Sequence, residues 1–228
     1  MKFINKVIIL LSLSNLFGEK FIYSAGFRLF DAGEAIFTKE FNELNGEPIV
    51  EITSSIKTNS FLSKFYKVDD FIKVWSKKDD FSLIKIDKKI NQGNYKLRYN
   101  AYISEDFEFI SNKNKIQLES KVYDPISAIF MIREKPLLNG DSYKFTTIEN
   151  GIIQKINVQV GDIEKISVPA GLFDTFQLIP ISDDGRPLFR HDGKMKVWYS
   201  TDSLHIPVKI EQKTNVGNLI LRLKRYIP

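Results

Sequence analysis

Cysteine is absent from this 228-residue chain. That excludes disulfides, a thiol nucleophile, a cysteine-held metal and a lipidated N-terminal cysteine. Histidine is scarce: His191 and His205 occur in neither an HExxH nor a His-x-His spacing. A histidine metal site needs several ligands at helical or hairpin spacing, so no metal is expected. No GxSxG, GxGxxG or P-loop pattern occurs, and no cofactor is expected. Charge of one sign is not concentrated either. The 33 basic and 28 acidic residues are spread along the chain and leave +5. Nucleic-acid binding calls for basic clusters interleaved with aromatics on one element, so no nucleic-acid partner is expected.

What is present is a core. Hydrophobic residues make up 43% of the chain and aromatics 13%, and all-β domains run to roughly 200–250 residues as one unit. The start, MKFINKVIILLSLSNLFG, has lysines at positions 2 and 6, a short apolar run from Val7 to Leu13, and small residues Ser12, Ser14 and Gly18. This is the architecture of a signal peptide. The expected organisation is a signal peptide over 1–18, cleaved before Glu19, and a single β-rich domain over 19–228, periplasmic or secreted. Beyond residue 18 no apolar run is long enough for a membrane-spanning helix, so the cleaved protein is not expected to be integral to the membrane.

Period-two alternation dominates the rest. Tyr95, Leu97, Tyr99, Ala101 and Ile103 share one face, with Lys96, Arg98 and Asn100 on the other. Residues 115–122, 155–160, 206–213 and 219–224 repeat the pattern, as antiparallel sheets with one wet face do. Turn signals fall at Asn45-Gly46, Gly93-Asn94, Asn150-Gly151, Asp184-Gly185 and Gly217-Asn218. Val168-Pro169-Ala170-Gly171 predicts a hairpin joining 163–168 to 173–180. One segment departs: YDPISAIFMIREKP, 123–136. Asp124 suits an N-cap, Pro125 the first helical position, and Pro136 blocks continuation. The helix, expected to reach about residue 135, is apolar nearly all round and so is expected to be buried. The fold class expected is all-β and mainly antiparallel: one strongly curved sheet forming an open or half barrel around one short buried helix.

The stretch NSFLSKFYKVDDFIKVW, 59–75, concentrates aromatics beside Asp69-Asp70. Phe61, Leu62, Phe65 and Tyr66 fit one helical turn, which predicts a lid over any pocket. From Val68 a strand is expected, with Asp69 and Asp70 fixing its junction. Adjacent carboxylates in a strand point to opposite faces and cannot easily flank one bond. Trp75 and Trp198 alternate with lysines, placing them on the wetter face or at a rim. With Ile129 and Phe130 of the helix they complete the candidate ligand-binding set.

Four stretches, TNSFLSKFYKVDDF (58–71), YDPISAIFMIR (123–133), VPAGLFDTF (168–176) and MKVWYSTDSLHIPVKIE (195–211), together resemble the bacterial family of domain of unknown function 3108. FIYSAGFRLFDAGEA (21–35) is similar to its opening strand pair, with Ala32-Gly33 at the turn. The resemblance implies a secreted or periplasmic envelope protein and supplies no catalytic residues. By architecture it implies a likeness to open-barrel envelope proteins that hold lipid or hydrophobic cargo. Three functions follow as expectations. The first is a non-enzymatic envelope protein binding a lipid or other hydrophobic small molecule between sheet and helix. The second is a structural or assembly factor meeting an envelope protein partner through Trp75 and Trp198. The third is a hydrolase using Asp69 or Asp70. An outer-membrane barrel is disfavoured by the Lys and Glu lining one face of many strands.

Overall fold

The structure, a computed structural model, describes residues 18–27, 30–183, 195–214 and 217–228. The expected signal peptide, the Asp184-Gly185 turn and His191 lie outside the described residues.

Among the described residues, fourteen strands form one antiparallel sheet. They are β1 (Glu19–Phe27), β2 (Phe30–Leu44), β3 (Glu47–Thr58), β4 (Asp69–Lys77), β5 (Leu83–Gln92), β6 (Tyr95–Ile103), β7 (Glu108–Ser111) and β8 (Lys115–Gln117). After the helix α1 (Pro125–Arg133) come β9 (Ser142–Glu149), β10 (Ile152–Val168), β11 (Gly171–Ser182), β12 (Met195–Ser200), β13 (Pro207–Thr214) and β14 (Gly217–Ile227). The spatial order runs β8 down to β1, then β14 down to β9. First and last strands therefore pair at the centre, while β8 and β9 form the two edges.

Those edges do not pair with each other, so the sheet is curled but not closed. The chain between them spans the gap. The Val122 carbonyl accepts from Leu83 N–H at 2.8 Å, and Tyr123 exchanges hydrogen bonds with Thr146 and Ile148 on β9. Bulges at Ala25/Gly26 in β1, Trp75/Ser76 in β4 and Val160/Ile163 in β10 supply bend.

Alternation puts Phe21, Tyr23 and Ala25 of β1, Val50 and Ile52 of β3 and Leu221 and Leu223 of β14 into one core. Asn45-Gly46 and Asn150-Gly151 form two-residue turns with positive φ at both positions, which only such residues adopt cheaply. Pro169-Ala170 makes the tight link between β10 and β11. Other expectations are corrected. Gly217 pairs with Thr214, so Gly217-Asn218 opens β14 rather than forming the tip. Ala32-Gly33 lies within β2, where Gly33 faces Ala25 and Thr58. A side chain at Gly33 would overlap the Lys57 carbonyl oxygen, so close strand approach, not a turn, explains that glycine. The alternation over 115–122 yields a strand only to Gln117, because Val122 and Tyr123 serve the gap instead.

Helix α1 sits inside the curl. The Asp124 carboxylate accepts from Ile126 N–H at 2.9 Å and Pro125 follows. Residues 127–133 are all buried. The helix stops at Arg133, two residues short of the expected end. Glu134 and Lys135 N–H turn back three residues, to Met131 and Ile132, as a last turn tightens ahead of proline.

Neighbouring strands alternate in direction, so their connections sort to two ends. The β3–β4, β5–β6 and β9–β10 connections share one end, called the rim below. The β2–β3 and β10–β11 turns share the other.

Candidate ligand-binding cleft

Pro125, Ala128, Ile129 and Ile132 recur at i, i+3, i+4 and i+7, which is one face of a helix. Opposite them stand alternate residues of four strands: Phe145 and Thr147 on β9, Ile156 and Val158 on β10, Leu178 and Pro180 on β11, Val197 and Tyr199 on β12. Every second residue of a strand shares a face, so these side chains form a concave apolar wall. Helix and wall touch at depth, through Tyr199 and the Ile129 carbonyl, but leave a cleft between them. The cavity left between them is about 70 Å³ and opens to solvent at its mouth. Its lining is mostly apolar, as that of small-molecule sites commonly is.

Burial orients the cleft. Ala128, Ile129, Ile132, Val158, Leu178 and Tyr199 are buried, whereas Pro125, Glu149, Gln154, Pro180 and Met195 are half-buried. The latter stand toward the rim, so the cleft opens there. The Tyr199 hydroxyl at depth is engaged, donating to the Ile129 carbonyl at 3.0 Å. Burial raises its pKa well above the usual phenol range, although Arg133 opposes this, and the group stays neutral.

Charge fixes both ends of α1. At the N-terminal end, buried Lys88 of β5 approaches Asp124 at 3.4 Å and Glu149 at 3.9 Å. At the C-terminal end, Arg133 is 7% exposed. Its guanidinium donates to both Glu19 oxygens, at 3.0 and 2.9 Å, and to the carbonyls of Leu204 and His205. Glu19 also receives Lys39 at 2.7 Å and the Tyr226 hydroxyl at 2.7 Å. Burial alone would raise the Glu19 carboxyl; Arg133, Lys39 and Tyr226 outweigh it and hold the group at about 2. Burial and the Glu19 carboxylate push Tyr226 up to about 12. This cluster joins β1, β2, β14, α1 and the β12–β13 loop.

The structure distributes the expected site residues unevenly. Ile129 lines the cleft. Phe130 turns to the other side of the helix, edge-on to Phe21 with ring centroids 5.6 Å apart. Trp198 faces outward as its alternation implied, but it is 4% exposed, which corrects the expectation of a wet surface. Its indole N–H donates to Glu164 at 3.2 Å, and the Lys209 ammonium lies 4.0 Å from the ring centroid. Trp75 is half-buried between Lys73 and Lys85. Phe61, Leu62, Phe65 and Tyr66 wrap a single 3₁₀ turn at the rim, and none lines the cleft, so they form no lid over it.

Asp70, the second residue of β4, accepts from Asn91 N–H at 2.8 Å and from the Gln92 amide at 2.6 Å. Burial raises its pKa, and these two bonds only partly offset the effect. Asp69 pairs with Lys57 at 3.4 Å. Among the described residues no three His, Cys, Asp or Glu side chains gather to hold a metal.

Sequence reasoning missed the walls contributed by β9 to β12 and the Glu19–Arg133 cluster. The alternation of Ile156 and Val158 was visible, but nothing local told which strands would face the helix.

A family model described as protein of unknown function, DUF3108, matches residues 22–224. No curated protein matches the sequence. A solved β-barrel-like protein of the domain of unknown function DUF1849 from Brucella abortus is similar in fold. Its TM-score is 0.56 at 11% identity, over 93% of this chain and 98% of that one. A candidate exported protein with a YmcC-like fold from Bacteroides fragilis covers 92% of this chain and 95% of its own, at 12% identity and a TM-score of 0.37. A candidate lipoprotein from Parabacteroides distasonis gives 12% identity and 0.37 over 93% and 96%.

Proposed function

The chain belongs to the DUF3108 family, and from that premise we propose a non-enzymatic envelope protein that holds an apolar chain, such as a lipid acyl chain, in the cleft. The observation that carries this reading is the unfilled apolar space between α1 and β9–β12. Protein interiors are close-packed, and an apolar cleft left open at its mouth suits an apolar occupant. Here the helix is pinned at both ends by Lys88–Asp124 and Glu19–Arg133, which keeps it from collapsing onto the wall. Glu149 and Gln154 at the mouth suit the polar end of an amphiphile. The signal-peptide pattern of residues 1–18 supports an extracytoplasmic location. No helix of the described residues is long and apolar enough to cross a membrane.

The other two readings find less support. Trp198 is covered, which leaves a surface-contact role with Trp75. Both Asp70 oxygens are engaged by Asn91 and Gln92, which leaves a hydrolase without an open acid or base at that position.

Replacing a lining residue by tryptophan tests the reading. Ala128→Trp on the helix and Val158→Trp on the wall approach the same space from opposite sides. Each is expected to abolish binding of a fluorescent fatty acid while the far-ultraviolet circular dichroism stays that of a β-protein. Equal binding by the wild type and both variants would place the fatty acid elsewhere and defeat the proposal.

A further inference from the structure

The rim carries a surface that the cleft does not use. Phe61 is 67% exposed and Phe65 76%, and their rings stand together with centroids 5.6 Å apart. Tyr66 and Tyr95 are exposed beside them. The loop is anchored at its ends: Asn59 N–H donates to the Ala32 carbonyl at 2.8 Å, and Gly93 N–H donates to the Lys67 carbonyl at 2.8 Å. Gly93 lies so close to Tyr66 that a Cβ would come within 2.7 Å of the ring. The β3–β4 and β5–β6 connections are thus one ledge, and the two phenylalanines project from it.

Its charge is of one sign. Residues 59–68 hold Lys64 and Lys67 and no acid; residues 93–98 hold Lys96 and Arg98 and no acid. These four side chains are exposed, and among the described residues no ion pair engages Lys64, Lys67 or Lys96. The nearby Asp69 is taken by Lys57. Projecting aromatics flanked by lysines match a bilayer interface: the rings enter the boundary between headgroups and acyl chains while ammonium groups meet lipid phosphates.

We propose that this ledge docks the protein on an anionic lipid bilayer through Phe61 and Phe65, with Lys64, Lys67 and Lys96 on the headgroups. The cleft mouth, at the same end of the sheet, then opens toward the membrane. Docking stands on the surface alone and does not require a ligand in the cleft.

Vesicle co-sedimentation tests it, with the purified protein and vesicles of mixed phosphatidylglycerol and phosphatidylethanolamine against phosphatidylcholine alone. The wild type is expected to bind the anionic vesicles, and less so as salt rises. One lysine at an anionic surface is worth about fivefold in affinity, so Lys64→Gln with Lys67→Gln lowers binding about 25-fold. Phe61→Ser with Phe65→Ser lowers it at least about tenfold. These side chains are exposed, and thermal melting verifies that both double variants keep the fold. Ala128→Trp is expected to bind vesicles as the wild type does, which separates docking from occupancy of the cleft. No binding to either vesicle overturns the proposal, as does binding unchanged by the phenylalanine pair. Concentration-dependent dimerisation lost in the phenylalanine variant, without vesicle binding, also overturns it and makes a second copy the occupant.

Discussion

Arg133→Met removes the centre of the cluster at the end of α1. The arginine makes two charge-assisted hydrogen bonds to Glu19, at 2.9 and 3.0 Å, and covers two loop carbonyls. Deleting one partner of a buried pair costs about 3–5 kcal/mol, because the other charge stays buried. Lys39 remains 2.7 Å from Glu19, which favours the lower end, about 3 kcal/mol. For a domain of this size that lowers Tm by on the order of 10 °C. Acid sharpens the test. The Glu19 carboxyl titrates at about 2 in the folded protein against an ordinary 4.5. A depressed carboxyl stabilises the fold above its unfolded value, and that stability is lost as pH falls through about 2. Allowing for partial solvent screening, the contribution is about 2 kcal/mol. In the variant only Lys39 and Tyr226 still lower Glu19, so it titrates nearer its unfolded value and most of the contribution is lost. Urea unfolding, followed by tryptophan fluorescence, should therefore show a large deficit near neutrality that narrows by about 2 kcal/mol toward pH 2. A deficit below about 1 kcal/mol, or one that acid leaves unchanged, would refute the role given to this cluster.

Two further substitutions probe the frame around the cleft. Asp124→Ala removes the helix cap and leaves Lys88 buried with only Glu149 at 3.9 Å; thermal melting should show a loss of about 3 kcal/mol, and Asp124→Asn about half of that. Gly33→Ala places a methyl on the Lys57 carbonyl oxygen where β2 meets β3; urea unfolding should show a loss of about 3 kcal/mol or more, whereas a neutral result would mean that the strands separate freely there.

Local chemistry was legible in the sequence, and long-range assembly was not. The Asp124-Pro125 cap, the Asn-Gly turns and the strand alternation act within a few residues, so residue types alone report them. The pairing of β1 with β14 joins opposite ends of the chain, and no local pattern encodes it. Arg133 stands in the last turn of the helix, but its partner Glu19 lies 114 residues away, beyond the reach of any local pattern. Trp198 shows the same limit. Alternation gave its face correctly, but exposure depends on Glu164 of β10 and Lys209 of β13 lying across it. The expected lid failed for a related reason. Helical spacing of Phe61 to Tyr66 described the turn, but the cleft is formed by α1 and β9 to β12, away from that turn. What the turn offers instead is a projecting aromatic pair at the rim.

The account's central claim is that the cleft is a container. Native mass spectrometry of the protein purified from its own host, with lipid extraction of the same sample, tests it most directly. The account predicts an adduct with the mass of an amphiphile carrying an acyl chain, present in the wild type and absent from Ala128→Trp. A wild-type protein that flies only at its bare polypeptide mass, with no lipid in the extract, would contradict it.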